Sequence, residues 1–401
     1  MEQEQKTVDE NDEDPNHETW SWGAGTDGQL ATGMLQDEHN PQLLRSVSFV
    51  APPITSLSCG GGHAIAIISG GRVLTWGRGS SGQLGHGEMI NSLQPKLVKD
   101  FEGLVITYVS AGWNHSGFIS DSGAIFTCGD GSFGQLGHGD YKSECSPKEV
   151  SYFGSKQVEQ VACGMRHSLV LLRGNVENPV YGFGSGKRGQ LGVSTDKVKS
   201  TSLPQITMGL TNLKIANISS NGDHSAALSD DGSLYTWGRG FGCASDEFVP
   251  RRFDAANFSF NEVALGWNHA LLLTSKGELF MLGGNRHGAL SDTQKTSPMN
   301  NVTGKSEEII ARINPDHMDS KVVQIAAGAE HSALITENGT IMTWGWGEHG
   351  QLGLGDTNDQ TAPRMVSLGR KMDKERVTSK VYCGSGFTFI LRTYDAGSVT
   401  R

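Results

Sequence analysis

The sequence predicts an all-β fold, a seven-bladed β-propeller closed by pairing of its N- and C-terminal strands. Three observations predict it. A histidine-centred segment recurs six times, in "CGGGHAIAIIS", "AGWNHSGFIS", "CGMRHSLVLL", "SNGDHSAALS", "LGWNHALLLT" and "AGAEHSALIT". Each copy leads through a Gly-containing turn into a return strand ending on a large residue and glycine, then into a Gly-rich loop. The return strand missing after the last copy is found at the opposite end of the chain, as "TWSWGAGTDGQL".

The repeated histidines are His63, His115, His167, His224, His269 and His331, spaced by 52, 52, 57, 45 and 62 residues. A seventh copy, "CGSGFTFILR", places Phe387 at the histidine position, 56 residues after His331. A fixed self-similar period of this size marks a repeat architecture whose units bury one continuous core only when stacked. Turns such as Ser69-Gly70-Gly71, Asp230-Asp231-Gly232 and Glu337-Asn338-Gly339 join hairpins, and the return strands "RVLTWG", "AIFTCG", "PVYGFG", "SLYTWG", "ELFMLG" and "TIMTWG" alternate inward and outward residues. The units lie near 54–104, 105–157, 158–214, 215–260, 261–320, 321–377, and 378–392 joined to 19–53, so the propeller spans 19–392. A half-repeat at each terminus would leave an open sheet edge. Zipping the Trp22 strand onto the Phe389 strand removes it.

Units four and five depart from the pattern: after Trp237-Gly238 the loop is "RGFGCASDE", and after Gly283 it is "GNRHGALSD". Unit five also carries an insertion over 291–320, read as a solvated excursion with a short amphipathic piece at Glu307 to Ile313. Insertions in repeats map to loops on one face, where function gathers.

Composition excludes several classes. Of 401 residues 54 are glycine and only 12 proline, without a Gly-X-Y period, which fits turn-rich β structure. No apolar run approaches the roughly 20 residues of a membrane span. Residues 1–19 hold eight acids against Lys6, most of the net charge of −10, so 1–18 reads as an acidic disordered tail that would not hold nucleic acid. Residues 393–401 form a short C-terminal tail. With no secretory signal in the leader, a reducing compartment is expected, cytoplasmic or nuclear or both, with all six cysteines as thiols. A monomer without membrane attachment is expected.

Gly77-x-Gly79-x-x-Gly82 follows a strand as a dinucleotide loop would. The same pattern starts at Gly23, Gly129, Gly184 and Gly345, however, and no helix-forming sequence follows it. A cofactor site needs the pattern once; these glycines punctuate a repeat. One histidine per blade spreads the imidazoles around a ring rather than around an ion, so no metal site is expected and each is assigned a structural hydrogen bond to neighbouring backbone at the start of its blade. Cys59, Cys163 and Cys383 read as small core residues. No Ser-His-Asp or paired-carboxylate pattern stands out, and neither covalent catalysis nor a cofactor is expected.

The sequence Gly-x-x-His-Ser/Thr, then a turn and a strand ending Trp-Gly, then Gly-Gln-Leu-Gly-x-Gly, resembles the repeats of the regulator of chromosome condensation family over roughly residues 19 to 392. The resemblance implies a seven-bladed propeller closed by its terminal strands. It also implies that the residues before each repeat histidine lie on one rim where partners bind: Gly62, Asn114, Arg166, Asp223, Asn268, Glu330 and Gly386, with Trp113, Met165, Gly222 and Trp267 one step earlier. Two Trp, a Met and an Arg are interface-enriched types, pointing to a non-catalytic protein-interaction platform in intracellular signalling or regulation.

The family also includes the Ran guanine-nucleotide exchange factor and the plant ultraviolet-B photoreceptor. Acidic Asp223 and Glu330 match exchange-factor chemistry toward a small GTPase, whereas Arg166 and the acidic leader depart from it. The two Gly-Trp-Asn-His copies resemble photoreceptor motifs, but their places in units two and five predict that Trp113 and Trp267 stand far apart across the ring.

Overall fold

In the computed structural model the described residues are 17–50, 52–241, 245–253, 258–284, 286–288, 296–298, 310–313, 320–369 and 377–394. Seven antiparallel sheets follow one another around a ring. In blade 1, Ile54–Cys59 is innermost, followed outward by His63–Ile68, Arg72–Gly77 and Ser92–Leu97. Blades 2 to 6 begin at Ile106, Val158, Ile215, Phe260 and Val322. Blade 7 combines Val377–Cys383 and Phe387–Tyr394 with His17–Gly23 and Glu38–Leu43.

The second strand of each blade is buried along its whole length where it begins at a repeat histidine, because both its faces meet neighbouring sheets. Apolar and small residues therefore run without polar alternation here. Register is set at the strand's first residue, where each histidine faces the glycine ending the third strand: His63↔Gly77, His115↔Gly129, His167↔Gly184, His224↔Gly238, His269↔Gly283 and His331↔Gly345. The seventh pair is Phe387↔Gly23, so the chain ends complete one blade in the register of the other six, with Ser21 opposite Phe389 and Trp22 opposite Thr388. Glycine is required at this place. Gly77 has φ +95°, and a Cβ there would stand 2.5 Å from the Gly62 carbonyl oxygen.

The core is a ring of interfaces, each built from two blades. Phe387, Phe389 and Leu30 of blade 7 pack with Ala64, Ala66 and Trp76 of blade 1, and Ile65 and Ile67 of blade 1 pack with Phe118 and Cys128 of blade 2. The outermost strands carry a proline each, at Pro41, Pro95, Pro147, Pro204, Pro250, Pro298 and Pro363. A missing N–H blunts an edge against pairing with other chains. This second sequence period also marks the outermost strand of every blade.

Blade 5 differs. Its sheet has five strands, because Ile310–Ile313 pairs with Leu279–Gly283 and displaces the proline strand Thr296–Pro298 to the edge. The expected amphipathic excursion at 307–313 is thus corrected over 310–313, which is sheet, and the tails expected at 1–18 and 393–401 are corrected at 17–18 and 393–394, which lie in blade 7 strands; 1–16, 289–295, 299–309, 314–319 and 395–401 lie outside the described residues. Cys59, Cys128, Cys145, Cys163 and Cys383 are free thiols, and Cys243 lies outside the described residues.

Closure through blade 7 predicts a stability effect. Phe389 is fully buried, with its ring 5.9 Å from that of Trp76 across the seam. Phe389→Ala is expected to lower the unfolding free energy by about 3–5 kcal/mol in urea titration, while Met365→Ala, at a side chain 68% exposed, should change it by less than about 0.5 kcal/mol.

Candidate partner-binding face

The repeat histidines are fully buried and join blades. His63 Nε2 lies 2.9 Å from Ser116 Oγ, His115 Nε2 2.9 Å from Ser168 Oγ, His167 Nε2 2.9 Å from Ser225 Oγ, His269 Nε2 3.0 Å from Ser332 Oγ and His331 Nε2 3.1 Å from Thr388 Oγ1, always in the following blade. Four of these hydroxyls donate in turn to a glutamine carbonyl of the preceding blade, Ser116 to Gln83, Ser168 to Gln135, Ser225 to Gln190 and Thr388 to Gln351. A hydroxyl that has given its proton to a carbonyl can only accept from the ring, so these imidazoles carry the hydrogen on Nε2 and are neutral. Burial pushes His63, His167 and His331 down to about 3 and His115 and His269 to about 4.

This corrects the expectation of backbone partners, which holds only for His224, whose Nε2 lies 2.6 Å from the Trp267 carbonyl. The reason is the next residue in sequence. Blade 5 has Ala270 where its neighbours offer a hydroxyl, and the His224 ring, stacked 4.2 Å from Phe241, turns to the backbone instead. At the seam between blades 7 and 1 the following residue is Ala64, and there the histidine is replaced by Phe387.

Immediately before the histidines, backbone bonds link the blades in a circle. Gly61 N–H donates to Gly112, Trp113 to Gly164, Met165 to Gly222, Trp267 to Ala329, Ala329 to Ser385 and Ser385 to Gly60. Between blades 4 and 5 the Asn221 side-chain amide, 2.6 Å from the Leu265 carbonyl, takes this place. A second set completes the rim: the residue after each third-strand glycine donates its N–H to the residue before each histidine, Ala24 to Gly386, Arg78 to Gly62, Asp130 to Asn114, Ser185 to Arg166, Arg239 to Asp223, Gly284 to Asn268 and Trp346 to Glu330.

The rim residues singled out from the sequence therefore lie on one face. Trp113 and Trp267 are not far apart: their rings meet across the channel mouth with centroids 5.1 Å apart, correcting the expectation. Room comes from the residues between them and the axis, since a Cβ on Gly61 would stand 2.7 Å from the Trp113 ring. Met165 lines the same mouth. Arg166 is exposed and lies 5.0 Å over the Phe133 ring. Asp223 accepts a hydrogen bond from Gln190 Nε2 at 2.9 Å, and Glu330, 6% exposed, accepts one from Asn268 Nδ2. Burial raises the Glu330 carboxyl, opposed by that hydrogen bond and by Arg286, His287 and Arg239. Asn114 contributes its carbonyl to the rim and is half-buried.

Sequence reading missed the other half of the face. Arg78 stands 5.5 Å over Trp113 and 3.8 Å from Asp27. Trp346 lies between His287 and His349, at 5.9 and 5.0 Å, and those histidines bridge to acids of the following blade, Asp359 at 2.8 Å and Asp37 at 2.9 Å. The signal was available: the third-strand glycine is the register partner of the histidine, so the residue after one must neighbour the residue before the other. Basic side chains Arg166, Lys187, Arg188, Arg239 and Arg286 belong to blades 3 to 5, together with the acids Asp223 and Asp246, and the acids Asp27, Asp37, Glu348 and Asp359 belong to blades 6 and 7. Among the described residues no group of three or more His, Cys, Asp or Glu is placed to hold a metal ion.

A ring of blades locked from within, with side chains that differ from blade to blade gathered on one face, defines a seven-bladed propeller. The chain belongs to the RCC1-like domain family, whose model matches residues 18–390. It is 30% identical over 356 residues to the ultraviolet-B receptor UVR8 of Arabidopsis thaliana, covering 86% of this chain and 77% of that one. It is 29% identical over 368 residues to the mouse secretion-regulating guanine nucleotide exchange factor, covering 86% and 78%. Yeast RCC1 (Prp20), solved bound to Kap60, superposes with a TM-score of 0.79 at 23% identity, covering 96% of this chain and 90% of that one.

The relay predicts energetic coupling. In a double-mutant cycle of His115→Phe and Ser168→Ala, the pair substitution reproduces what Phe387 and Ala64 already do elsewhere in the ring. It is expected to be less destabilising than the sum of the two singles by about 1 kcal/mol or more in urea unfolding.

Proposed function

We propose that this protein is a non-catalytic interaction platform that seats a protein partner on the Trp113–Trp267 face, in the cytoplasm or nucleus. The observation that carries this reading is the paired tryptophans at the centre of the face, flanked by Met165 and the Arg78 guanidinium and surrounded by polar and charged side chains. Aromatic, Met and Arg anchors at the centre of a polar rim are the composition of binding hot spots. The charged side chains around the face would fix the partner's orientation more than its affinity. Free thiols fit a reducing compartment. Affinity purification of the wild type beside a Trp113→Ala, Arg166→Ala, Trp267→Ala variant tests this, with thermal melting as the folding control. Loss of the same prey from a folded variant is expected, and an unchanged prey set would move the site elsewhere.

A second reading, nucleotide exchange on a Ran-like small GTPase, is favoured by the similarity to the secretion-regulating exchange factor and by Asp223 and Glu330 on the rim. Against it, both carboxylates are engaged within the rim, Asp223 by Gln190 and Glu330 by Asn268. A fluorescent-nucleotide release assay with Ran is therefore expected to show no acceleration at micromolar protein; acceleration lost on Asp223→Ala would establish the exchange reading instead. The contact between Trp113 and Trp267 removes the distance objection to the third, photoreceptor reading. Asn114 and Asn268 beside them still take the places where photoreceptor motifs carry arginine.

A further inference from the structure

The propeller axis is a channel of about 350 Å³ lined by all seven inner strands. Its wall is made of hydroxyls, small apolar residues and the aromatic side chains of Tyr108 and Tyr382, with Trp113 and Trp267 at the rim. No Lys, Arg, His or Asp is among the lining residues, and Glu262 is their one carboxylate. Glu262 is half-buried, and Lys380, at the corresponding place on the inner strand of blade 7, is exposed and outside the lining; a carboxylate held partly out of water is costly when ionised.

Glu262 occupies the inner-strand position held by Gln160 in blade 3 and Gln324 in blade 6. Both glutamines clamp the next blade with two hydrogen bonds. Gln160 Oε1 accepts from Ile218 N–H at 3.1 Å while its Nε2 donates to the Ala216 carbonyl at 2.9 Å. Gln324 Oε1 accepts from Val381 N–H at 2.9 Å while its Nε2 donates to the Val381 carbonyl at 3.0 Å. Glu262 offers a carboxylate to the accepting half of this clamp, opposite Ile325, the residue equivalent to Ile218, whose backbone favours the ionised form. It has no NH2 with which to make the other half. Ala216 falls at the irregularity in its strand, and Val323 falls at the same irregularity in blade 6. Ser220 Oγ, buried in the same lining, has no partner.

We propose that the central channel is a binding site for a small organic cation with a primary ammonium, whose N–H groups donate to Glu262 where the amides of Gln160 and Gln324 donate, and whose hydrocarbon part lies along the aromatic wall. The positive charge balances the carboxylate, and tyrosine faces favour a desolvated ammonium. A hard metal ion is a poor alternative, because it wants six or more oxygen ligands and a single carboxylate faces the channel. The ammonium can belong to a free amine or to a lysine side chain reaching in from a partner.

Burial holds the Glu262 carboxyl up at about 7. The adjacent inner strands, Ile215–Asn221 and Val322–Ala327, carry no ionisable side chain, and His269 on the neighbouring strand is buried and neutral. Burial pushes the facing Tyr108, Tyr382, Cys59, Cys163 and Cys383 up, so they stay neutral near pH 7. Binding must therefore displace a proton from Glu262 and strengthen as pH rises through 7.

Calorimetric titration of the full chain with n-butylammonium chloride at constant ionic strength tests the site. One saturable site is expected, about tenfold tighter at pH 8.5 than at pH 6, with proton release at pH 7 measured from buffers of different ionisation heat. E262Q should lose at least tenfold in affinity while melting no lower than the wild type, since glutamine completes the clamp as it does in blades 3 and 6. No saturable binding at pH 8.5, equal affinity in E262Q, or an affinity indifferent to pH with no proton release would each overturn the proposal; the pH and proton measurements need only the wild type. Putrescine binding more tightly than Nα-acetyl-lysine N-methylamide would assign a free amine as the ligand, and the reverse order would assign a partner's lysine.

Discussion

One hydrogen-bonded relay holds the ring together: imidazole of one blade, hydroxyl of the next, carbonyl of the first. It reaches forward and returns, as from His115 to Ser168 and back to Gln135, so neither blade can slide past the other without leaving buried polar groups unpaired. An unpaired buried donor or acceptor costs about 1–3 kcal/mol. Two of these glutamine carbonyls also accept from the following blade's tryptophan indole, Trp237 onto Gln190 at 3.0 Å and Trp22 onto Gln351 at 2.9 Å, and at the seam without a relay Trp76 donates to the corresponding Gln29 at 2.9 Å. The recurring Trp-Gly, Gln and His are thus parts of one joint, and the distance between them in sequence is set by the strands that separate them. Surface ion pairs such as Arg188–Asp246, largely exposed, add little to it.

The glycine clusters follow from the same joint. A blade meets its neighbour at backbone contact, as at Gly82, where φ is +85° and a Cβ would lie 2.7 Å from Cys145 Cα in the next blade's outer strand. Loops that look like phosphate cradles in the sequence are spacers between sheets. No helix opens behind them, and the N–H groups of Gly82 and Gly85 are taken by the carbonyls of Gly79 and Gly82 within the turn.

Fold class and ring closure were legible because they depend on periodicity, which is local and repeated: Phe387 could be matched to the histidines, and Trp22 to the missing strand, without any contact being known. What depends on direction across the ring was not legible. Trp113 and Trp267 belong to blades separated by two others, and sequence order suggests opposite walls; small residues at Gly61 and Gly222 let the two rings cross the axis and meet. The partners of the histidines were misread for a related reason. Backbone is always present beside an imidazole, but the hydroxyl one residue after the next blade's histidine is available only once blades are stacked. The proline period was legible and overlooked, since proline is scarce in total and informative only when its seven outer-strand copies are aligned.

The repeat rules fail together on one side of the ring. Blades 4 and 5 lack the Gly-Gln-Leu-Gly loop, Ala270 removes a relay hydroxyl, His224 turns to the backbone, and Glu262 stands where a glutamine would finish the clamp onto blade 6. Local rules broken without an evident structural gain are the expected signature of functional positions. Trp267 and Asn268 of blade 5, which follow Glu262 along the chain, and Glu330 of the neighbouring blade 6 lie on the rim beside this joint, and blade 5 carries the five-stranded sheet. Imidazole–hydroxyl joints hold blades 1 to 4 and blades 5 to 7, Phe387 against Ala64 closes the seam between blades 7 and 1, and the joint between blades 4 and 5 turns to the backbone. The departures from the repeat therefore gather beside one joint.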